Sequence, residues 1–97
     1  MILRVSVDPA DMRRAAEESG DTFLGIAAHA RENGAIHHEF WAGDGEVLAV
    51  DEWESAEAFQ AFFEAKGGGI GALMGAAGAG EPAPPSFYEK LDLGDSF

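Results

Sequence analysis

The feature that most constrains this chain is a β-hairpin around Gly43-Asp44-Gly45. Residues 35–42 and 46–53 flank that turn, and both carry the β-branched and aromatic side chains that strands prefer. Glycine beside aspartate between two such runs is a strong signal for a tight turn. We therefore expect two adjacent antiparallel strands.

The length of the loop decides the register of this hairpin. A three-residue loop pairs His37 with Asp51, whereas a two-residue loop shifts the register by one residue and pairs His38 with Asp51. We favour the first register because it keeps the aliphatic residues together. One face of the sheet then carries Ile36, His38, Phe40, Leu48 and Val50, and we expect it to pack on the helices because it is mostly apolar. The other face carries His37, Glu39, Trp41, Asp51 and Trp53.

Before the hairpin, the sequence predicts one strand and a divided helix. Apolar residues alternate over residues 2–7, which indicates a strand. Asp8 can cap free amides and Pro9 suits the first helical position, so a helix begins there. Gly20 ends this helix, and Asp21 caps a second helical piece.

After the hairpin, the sequence predicts a helix, a connector and a last strand. Ser55 caps the helix, and the three glycines at 67–69 end it. A short loose helix over residues 70–79 and a proline-rich connector over 81–85 follow. Alternation then predicts a final strand over residues 87–93.

The resulting order of elements is β-α-β-β-α-β. It predicts an α+β fold of the ferredoxin-like kind, with an antiparallel sheet. The chain has 97 residues, so we expect a single domain over residues 1–97 with a frayed tail over 94–97. A domain this small gains core from a partner subunit, because it buries only about 60–65% of its unfolded surface by itself.

The acidic composition excludes several classes of partner. Asp and Glu number 18 against 6 Lys and Arg, so the formal net charge is −12. Such a surface repels phosphate, and neither nucleic acid nor membrane is an expected partner. The chain contains no cysteine, so disulfides and thiolate metal sites are excluded. The apolar start over residues 1–7 is too short and too alternating for a signal peptide, and no apolar run approaches the ~20 residues of a membrane span, so we expect a cytoplasmic protein.

Residues 50–59 carry a recognisable pattern, Val-Asp-Glu-Trp-Glu-Ser-Ala-Glu-Ala-Phe. A strand ends in Trp53, a Glu-Ser turn follows, and a helix begins with an aromatic residue, Phe59, a few positions later. This segment and the hairpin before it resemble the antibiotic biosynthesis monooxygenase-like family of the dimeric α/β barrel superfamily. The resemblance covers residues 35–65 by motif and the rest of the chain by the order of its elements.

The resemblance implies a homodimer whose two sheets close into a barrel, with a pocket between each sheet and its helices. Members of the family include cofactor-independent monooxygenases that act on aromatic polyketides. We therefore expect a monooxygenase-like oxidoreductase that uses no cofactor and acts on a small apolar or aromatic molecule. The alternative is a non-catalytic dimeric barrel that binds a small molecule or a metal. The haem-degrading members use a histidine after the tryptophan, and no histidine follows Trp53 here.

Three polar residues of the favoured register supply the predicted chemistry. His37 and Glu39 lie one strand period apart and so share a face, with Asp51 beside them across the hairpin. An imidazole oriented by a carboxylate can act as a general base, so we assign catalytic roles to His37 and Asp51, with Trp53 at the pocket wall. We predict no metal site, because a third nitrogen or sulfur ligand is missing. His38 is the alternative histidine if the other register forms.

Further residues are predicted to contact a substrate. The glycine-rich stretch over residues 67–80 lacks the spacing of a nucleotide-binding loop, so we interpret it as a mobile cover near the pocket mouth. Its apolar side chains can line the pocket, together with residues of the strands and of the preceding helix. The predicted substrate-binding residues are Arg4, His38, Glu39, Trp41, Phe63, Leu73, Met74 and Tyr88.

Overall fold

An antiparallel sheet and the helices that pack against it make up the fold. A computed structural model describes residues 1–80 and 83–97. In chain order the elements are β1 (Ile2–Ser6), α1 (Pro9–Glu18), α2 (Gly20–Glu32), β2 (Ala35–Gly43), β3 (Glu46–Trp53) and α3 (Ala56–Ala76). The strands are ordered β1-β3-β2, and each neighbouring pair is antiparallel. This confirms the prediction of an α+β fold with an antiparallel sheet.

The hairpin between β2 and β3 has a two-residue loop, so the favoured register is wrong. Gly43 pairs with Glu46, and His38 pairs with Asp51. Gly45 has a φ of 69°, a left-handed conformation that glycine adopts at no steric cost. This glycine allows the chain to reverse within Asp44-Gly45, so that Gly43 still belongs to β2.

The register decides which side chains lie on each face of the sheet. Residues opposite each other in antiparallel strands share a face, so His38 lies with Asp51 on the side of the helices. His37 and Glu39 lie on the other side. The predicted grouping of His37, Glu39 and Asp51 is therefore wrong, since a shift of one residue moves every side chain of a strand to the opposite face.

Burial along β3 defines the two faces. The side toward the helices, which we call the covered face, contains Val47 and Ala49, only 4% and 6% exposed. The opposite side, the open face, contains the partly exposed Leu48 and Val50. The expectation that Leu48 and Val50 pack on the helices is therefore wrong. Val47 instead packs in the core with Val5, Val7 and Met12.

Capping accounts for the start of two helices. The side chain of Asp8 accepts a hydrogen bond from the Ala10 amide at 2.9 Å, and Ser55 Oγ accepts one from the Ala58 amide at 3.0 Å. Both caps are as predicted. Asp21 does not cap a helix, because α2 already begins at Gly20 and places Asp21 in its first turn.

Helix α3 is longer than predicted. It runs without a break through residues 67–69, so the expectation that these glycines end the helix is wrong. The later part of the helix buries Leu73, and Ala77 follows at its C-cap in the core. This packing offsets the low helix propensity of glycine. The connector predicted over residues 81–85 lies partly outside the described residues.

The chain returns along the free edge of β1 after α3. Ser86 donates to the carbonyl of Ile2 at 2.9 Å and accepts from its amide at 2.8 Å, and the Ala83 amide donates to the carbonyl of Arg4 at 3.2 Å. Residues 87–93 form no strand, which corrects the prediction. The segment that pairs with β1 lies earlier in the chain than predicted, because the Gly80 amide already donates to the carbonyl of Ser6.

Backbone conformation makes Gly34 a sensitive position. Its φ is 108°, and a Cβ added there would lie 3.2 Å from the Cβ of Ala58. Gly34→Ala should lower the free energy of unfolding by about 1–2 kcal/mol, measured by urea denaturation. Gly25→Ala is the control, because the added methyl in α2 has open space and should raise that free energy by up to about 1 kcal/mol. Equal effects of the two substitutions would contradict the described backbone.

Candidate functional site

A cavity of about 90 Å³ lies between the covered face of the sheet and helices α2 and α3. Its walls are mostly apolar, because each of these elements turns its hydrophobic side toward the others. The aromatic lining residues are Phe23, Phe40, Trp53, Phe59 and Phe62. The aliphatic ones include Ile26, Ile70, Leu73 and Met74. Two ionisable residues, His38 and Asp51, complete the lining.

A carboxylate with two hydrogen-bond partners forms the polar centre of this cavity. His38 Nδ1 lies 2.6 Å from Asp51 Oδ1, and the indole Nε1 of Trp53 donates to Asp51 Oδ2 at 3.1 Å. The Asp51 side chain is 8% exposed, whereas that of His38 is 36% exposed. The carboxylate is thus buried with both oxygens satisfied, as a buried charge requires. The imidazole stays accessible.

This contact changes the protonation of the histidine. The hydrogen bond to Asp51 raises the pKa of His38 above its ordinary value of 6.5, and burial opposes that change. The negative charges of Asp51 and Glu39 raise the pKa of His38 further. A histidine held this way by a carboxylate has the orientation and the basicity of a general base.

Aromatic packing holds the indole in place. The ring of Trp53 contacts Phe59 edge-on, with centroids 5.4 Å apart, and Phe62 in a tilted arrangement at 5.3 Å. Ser55 caps α3 directly after the strand, so the first turns of the helix bring both phenylalanines back over Trp53. Such contacts allow few orientations of the indole, and its N–H group is kept toward Asp51.

The imidazole has its own aromatic support. Phe40, two residues along β2, meets the ring of His38 edge-on at a centroid distance of 4.8 Å. Phe23 of α2 in turn packs edge-on against Phe40 at 6.4 Å. A row of rings thus extends from α2 to the histidine.

The cavity brings together five of the residues that the sequence predicted for the site. They are His38, Asp51, Trp53, Leu73 and Met74. His38 was the alternative histidine, and it replaces His37 beside the carboxylate. Sequence reasoning missed the other lining residues of α2 and α3. Helical spacing of Phe23, Ile26 and Ala30 was a signal for them, since it indicates one shared face.

Three of the predicted residues contact one another on the open face, away from the cavity. His37 Nε2 lies 3.3 Å from Glu39 Oε2, and Trp41 Nε1 donates to Glu39 Oε1 at 2.9 Å. The hydrogen bond from Trp41 lowers the pKa of the Glu39 carboxyl, with a further contribution from His37. These contacts are largely solvent-exposed, and none of the three residues lines the cavity.

The last three predicted residues lie apart from the cavity, although Tyr88 lines a broad open hollow of about 900 Å³ together with His37, Asp51 and Trp53. Arg4 forms an ion pair with Glu46 at 3.3 Å on the open face. Phe63 borders a separate shallow hollow near Pro85, and Tyr88 is 73% exposed. Arg4 lies on the open face of the sheet and Tyr88 lies outside any strand, so neither lines the cavity.

Neither a metal cluster nor a membrane span emerges from the described part of the chain. Within residues 1–80 and 83–97, no group of three or more His, Asp or Glu side chains is placed to hold a metal ion. No helix there is long and apolar enough to cross a membrane. Comparison of the chain with protein-family models, curated proteins and solved structures finds no match.

The pairing of His38 with Asp51 predicts how stability depends on pH. Because the folded protein raises the pKa of His38 above 6.5, the pair stabilises the fold fully below about pH 6.5. That contribution disappears as the pH rises through the folded pKa. The free energy of unfolding of the wild type, relative to that of His38→Gln, should therefore decrease at higher pH. A change of a few tenths to about 1 kcal/mol is expected, since the imidazole is partly solvated.

Urea denaturation across the pH range measures this difference. Asp51→Asn is the matched variant, because it removes the partner and should abolish the pH dependence attributed to His38. If the difference in the free energy of unfolding between the wild type and His38→Gln stays constant or grows with rising pH, the pair does not stabilise the protonated imidazole.

Proposed function

We propose that the protein is a cofactor-independent, monooxygenase-like enzyme that acts on a small apolar or aromatic molecule. The observation that carries this proposal is the His38–Asp51 pair in an otherwise apolar cavity. A base in such surroundings can take a proton from a weakly acidic substrate, and the apolar walls offer few polar groups that would compete for the base. The resemblance in residues 50–59 agrees with this chemistry.

The proposed reaction begins when His38 removes a proton from an acidified CH₂ group of the substrate. The resulting carbanion reduces O₂, first by one electron, and the radical pair combines to form a carbon–oxygen bond. The peroxide anion takes the proton back from His38, and the hydroperoxide then loses water to leave a carbonyl. Overall, CH₂ and O₂ give C=O and H₂O, so the substrate supplies every electron.

The three polar residues have different roles in this proposal. His38 carries the proton and touches the substrate. Asp51 is a positioning residue that accepts from Nδ1 and stabilises the imidazolium while the proton is held there. Trp53 holds Asp51 through its indole N–H and adds its ring to the apolar wall.

Admission of a substrate requires the cover of the cavity to move. The volume of about 90 Å³ is smaller than the ~300 Å³ at the lower end of ligand pockets. Ile70, Leu73 and Met74 close one side, and they lie on the glycine-rich end of α3. Gly71 and Gly75 lie on the exposed side of this part of the helix, and the low helix propensity of glycine favours local opening there.

We also propose a cytoplasmic homodimer of the ferredoxin-like, barrel-forming kind. The chain beyond α3 lies beside β1, which is where the fourth strand of that arrangement belongs. The open face carries the apolar side chains of Ile2, Trp41, Leu48 and Val50. Contact between the open faces of two chains would remove these apolar side chains from water.

The alternative proposal is a protein that binds a small molecule without turning it over. The small cavity favours it, because a volume of about 90 Å³ leaves little room for both a substrate and O₂. The two proposals share the cavity and differ in whether His38 transfers a proton.

Oxygen uptake with anthrone as the probe substrate tests the catalytic proposal. His38→Gln should lower the rate by about 10²–10⁴-fold, the usual contribution of a general base. His37→Gln is the matched control, since the neighbouring histidine lies on the open face and should leave the rate unchanged. Equal rates for both variants and the wild type would reject His38 as the base. Saturable binding of anthrone without uptake of oxygen would favour the non-catalytic alternative.

Sedimentation equilibrium tests the proposed homodimer. The wild type should have the mass of two chains, and Leu48→Lys on the open face should give one chain, because a buried lysine opposes the contact. Leu24→Lys is the control, as Leu24 is 71% exposed on α2 and should not affect assembly. A wild-type protein that remains monomeric at micromolar concentration would refute the dimer and leave the cavity chemistry untouched.

A further inference from the structure

The second ring nitrogen of His38, a residue that lines the cavity, is the polar atom left for a ligand. Both oxygens of Asp51 are occupied, by His38 Nδ1 and by the indole N–H group of Trp53. Among the described side chains and backbone groups, none forms a hydrogen bond with Nε2 of His38. The remaining lining side chains are hydrocarbon, apart from the thioether of Met74.

We infer that the cavity binds a neutral aromatic molecule through a single ring hydroxyl, which donates a hydrogen bond to Nε2 of His38. The inference names the substrate class of the proposed enzyme and rests on that proposal for its catalytic meaning. The enol form of a ketone with an acidified CH₂ group belongs to this class. Removal of the hydroxyl proton from the enol gives the same enolate anion as removal of a CH₂ proton from the ketone.

The tautomer of His38 requires a donor on the ligand. The Asp51 carboxylate can only accept, so the proton of a neutral imidazole lies on Nδ1. Nε2 then carries a lone pair and accepts. A methyl group or an ether oxygen at this point would leave that lone pair unpaired, whereas a hydroxyl satisfies it.

The charge balance selects a neutral ligand. Asp51 already supplies one buried negative charge, which balances His38 when the imidazole is protonated. A ligand carboxylate would add a second negative charge to an apolar site in a chain of net charge −12. Desolvation and repulsion both oppose that arrangement.

The shape and lining of the site select an aromatic ring. Phe23, Phe40 and Phe62 surround the cavity, and their rings offer the edge and face contacts that aromatic ligands prefer. A volume of about 90 Å³ accommodates a flat aromatic ring more readily than a bulky saturated group. The ligand thus places a planar apolar body against the phenylalanines and one polar group at His38.

The surroundings of His38 also determine the pH dependence of binding. Asp51 from β3 and Glu39 from its own strand are the charged groups that act on it. The lining residues of α2 and α3 that pack around the cavity carry no charge. A hydroxyl should therefore bind better as the pH rises and His38 loses its proton, until the ligand itself ionises near pH ~10.

Three ligands that share one benzene ring test the inference: phenol, toluene and benzoate. Toluene has the shape of phenol and is more hydrophobic, so an ordinary apolar cavity would prefer toluene. NMR titration of the backbone amides around the cavity of the full chain gives the three dissociation constants. Phenol should bind about tenfold more tightly than toluene, which corresponds to one well-made hydrogen bond, and benzoate should bind most weakly. The affinity for phenol should rise with pH.

The variant His38→Phe keeps an aromatic ring and should reverse the preference in favour of toluene. The comparison of the three ligands on the wild type stands even if this variant fails to fold. Toluene binding at least as tightly as phenol, benzoate binding most tightly, or no binding of any of the three at millimolar concentration would overturn the inference. A preference for phenol without oxygen uptake from anthrone would uphold the hydroxyl site and reject the oxygenase, and the reverse pattern would reject the hydroxyl site alone.

Discussion

The buried carboxylate of Asp51 organises the centre of this protein. Two strand residues and one helix depend on it: His38 approaches from β2, Trp53 donates from the end of β3, and α3 packs two phenylalanines on that indole. A buried charge without partners would be costly, so the two hydrogen bonds are a condition for placing aspartate in an apolar wall. The site and the stability of the corner between β3 and α3 are therefore properties of the same contacts.

The register of one hairpin connects this chemistry to the sequence. A loop of two residues places His38 across from Asp51, whereas a loop of three would have placed His37 there. Because adjacent histidines in a strand point to opposite faces, only one of them can meet the carboxylate. Its neighbour then forms an exposed contact with Glu39 on the open face.

Local signals in the sequence predicted much of the fold. The caps at Asp8 and Ser55, the strand at the N-terminus and the hairpin follow from short-range preferences, and the structure has them. The loop length was not predictable in this way, because Gly43 and Gly45 both permit a turn and only tertiary packing selects between them. The same reason explains α3, where burial of Leu73 offsets the glycines before it. In the candidate site, Asp51 and Trp53 were predictable from the pattern in residues 50–59. Which histidine pairs with Asp51 depended on the register of the hairpin.

A ¹⁵N NMR titration of the imidazoles tests the central claim most directly, since the chain has only three histidines. The pKa of His38 should lie above 6.5, and above that pKa its neutral form should carry the proton on Nδ1. Asp51→Asn should lower the pKa of His38 and so identify its signal. A pKa of His38 at or below 6.5, or a neutral form protonated on Nε2, would contradict the pairing with Asp51 and remove the basis for the proposed site.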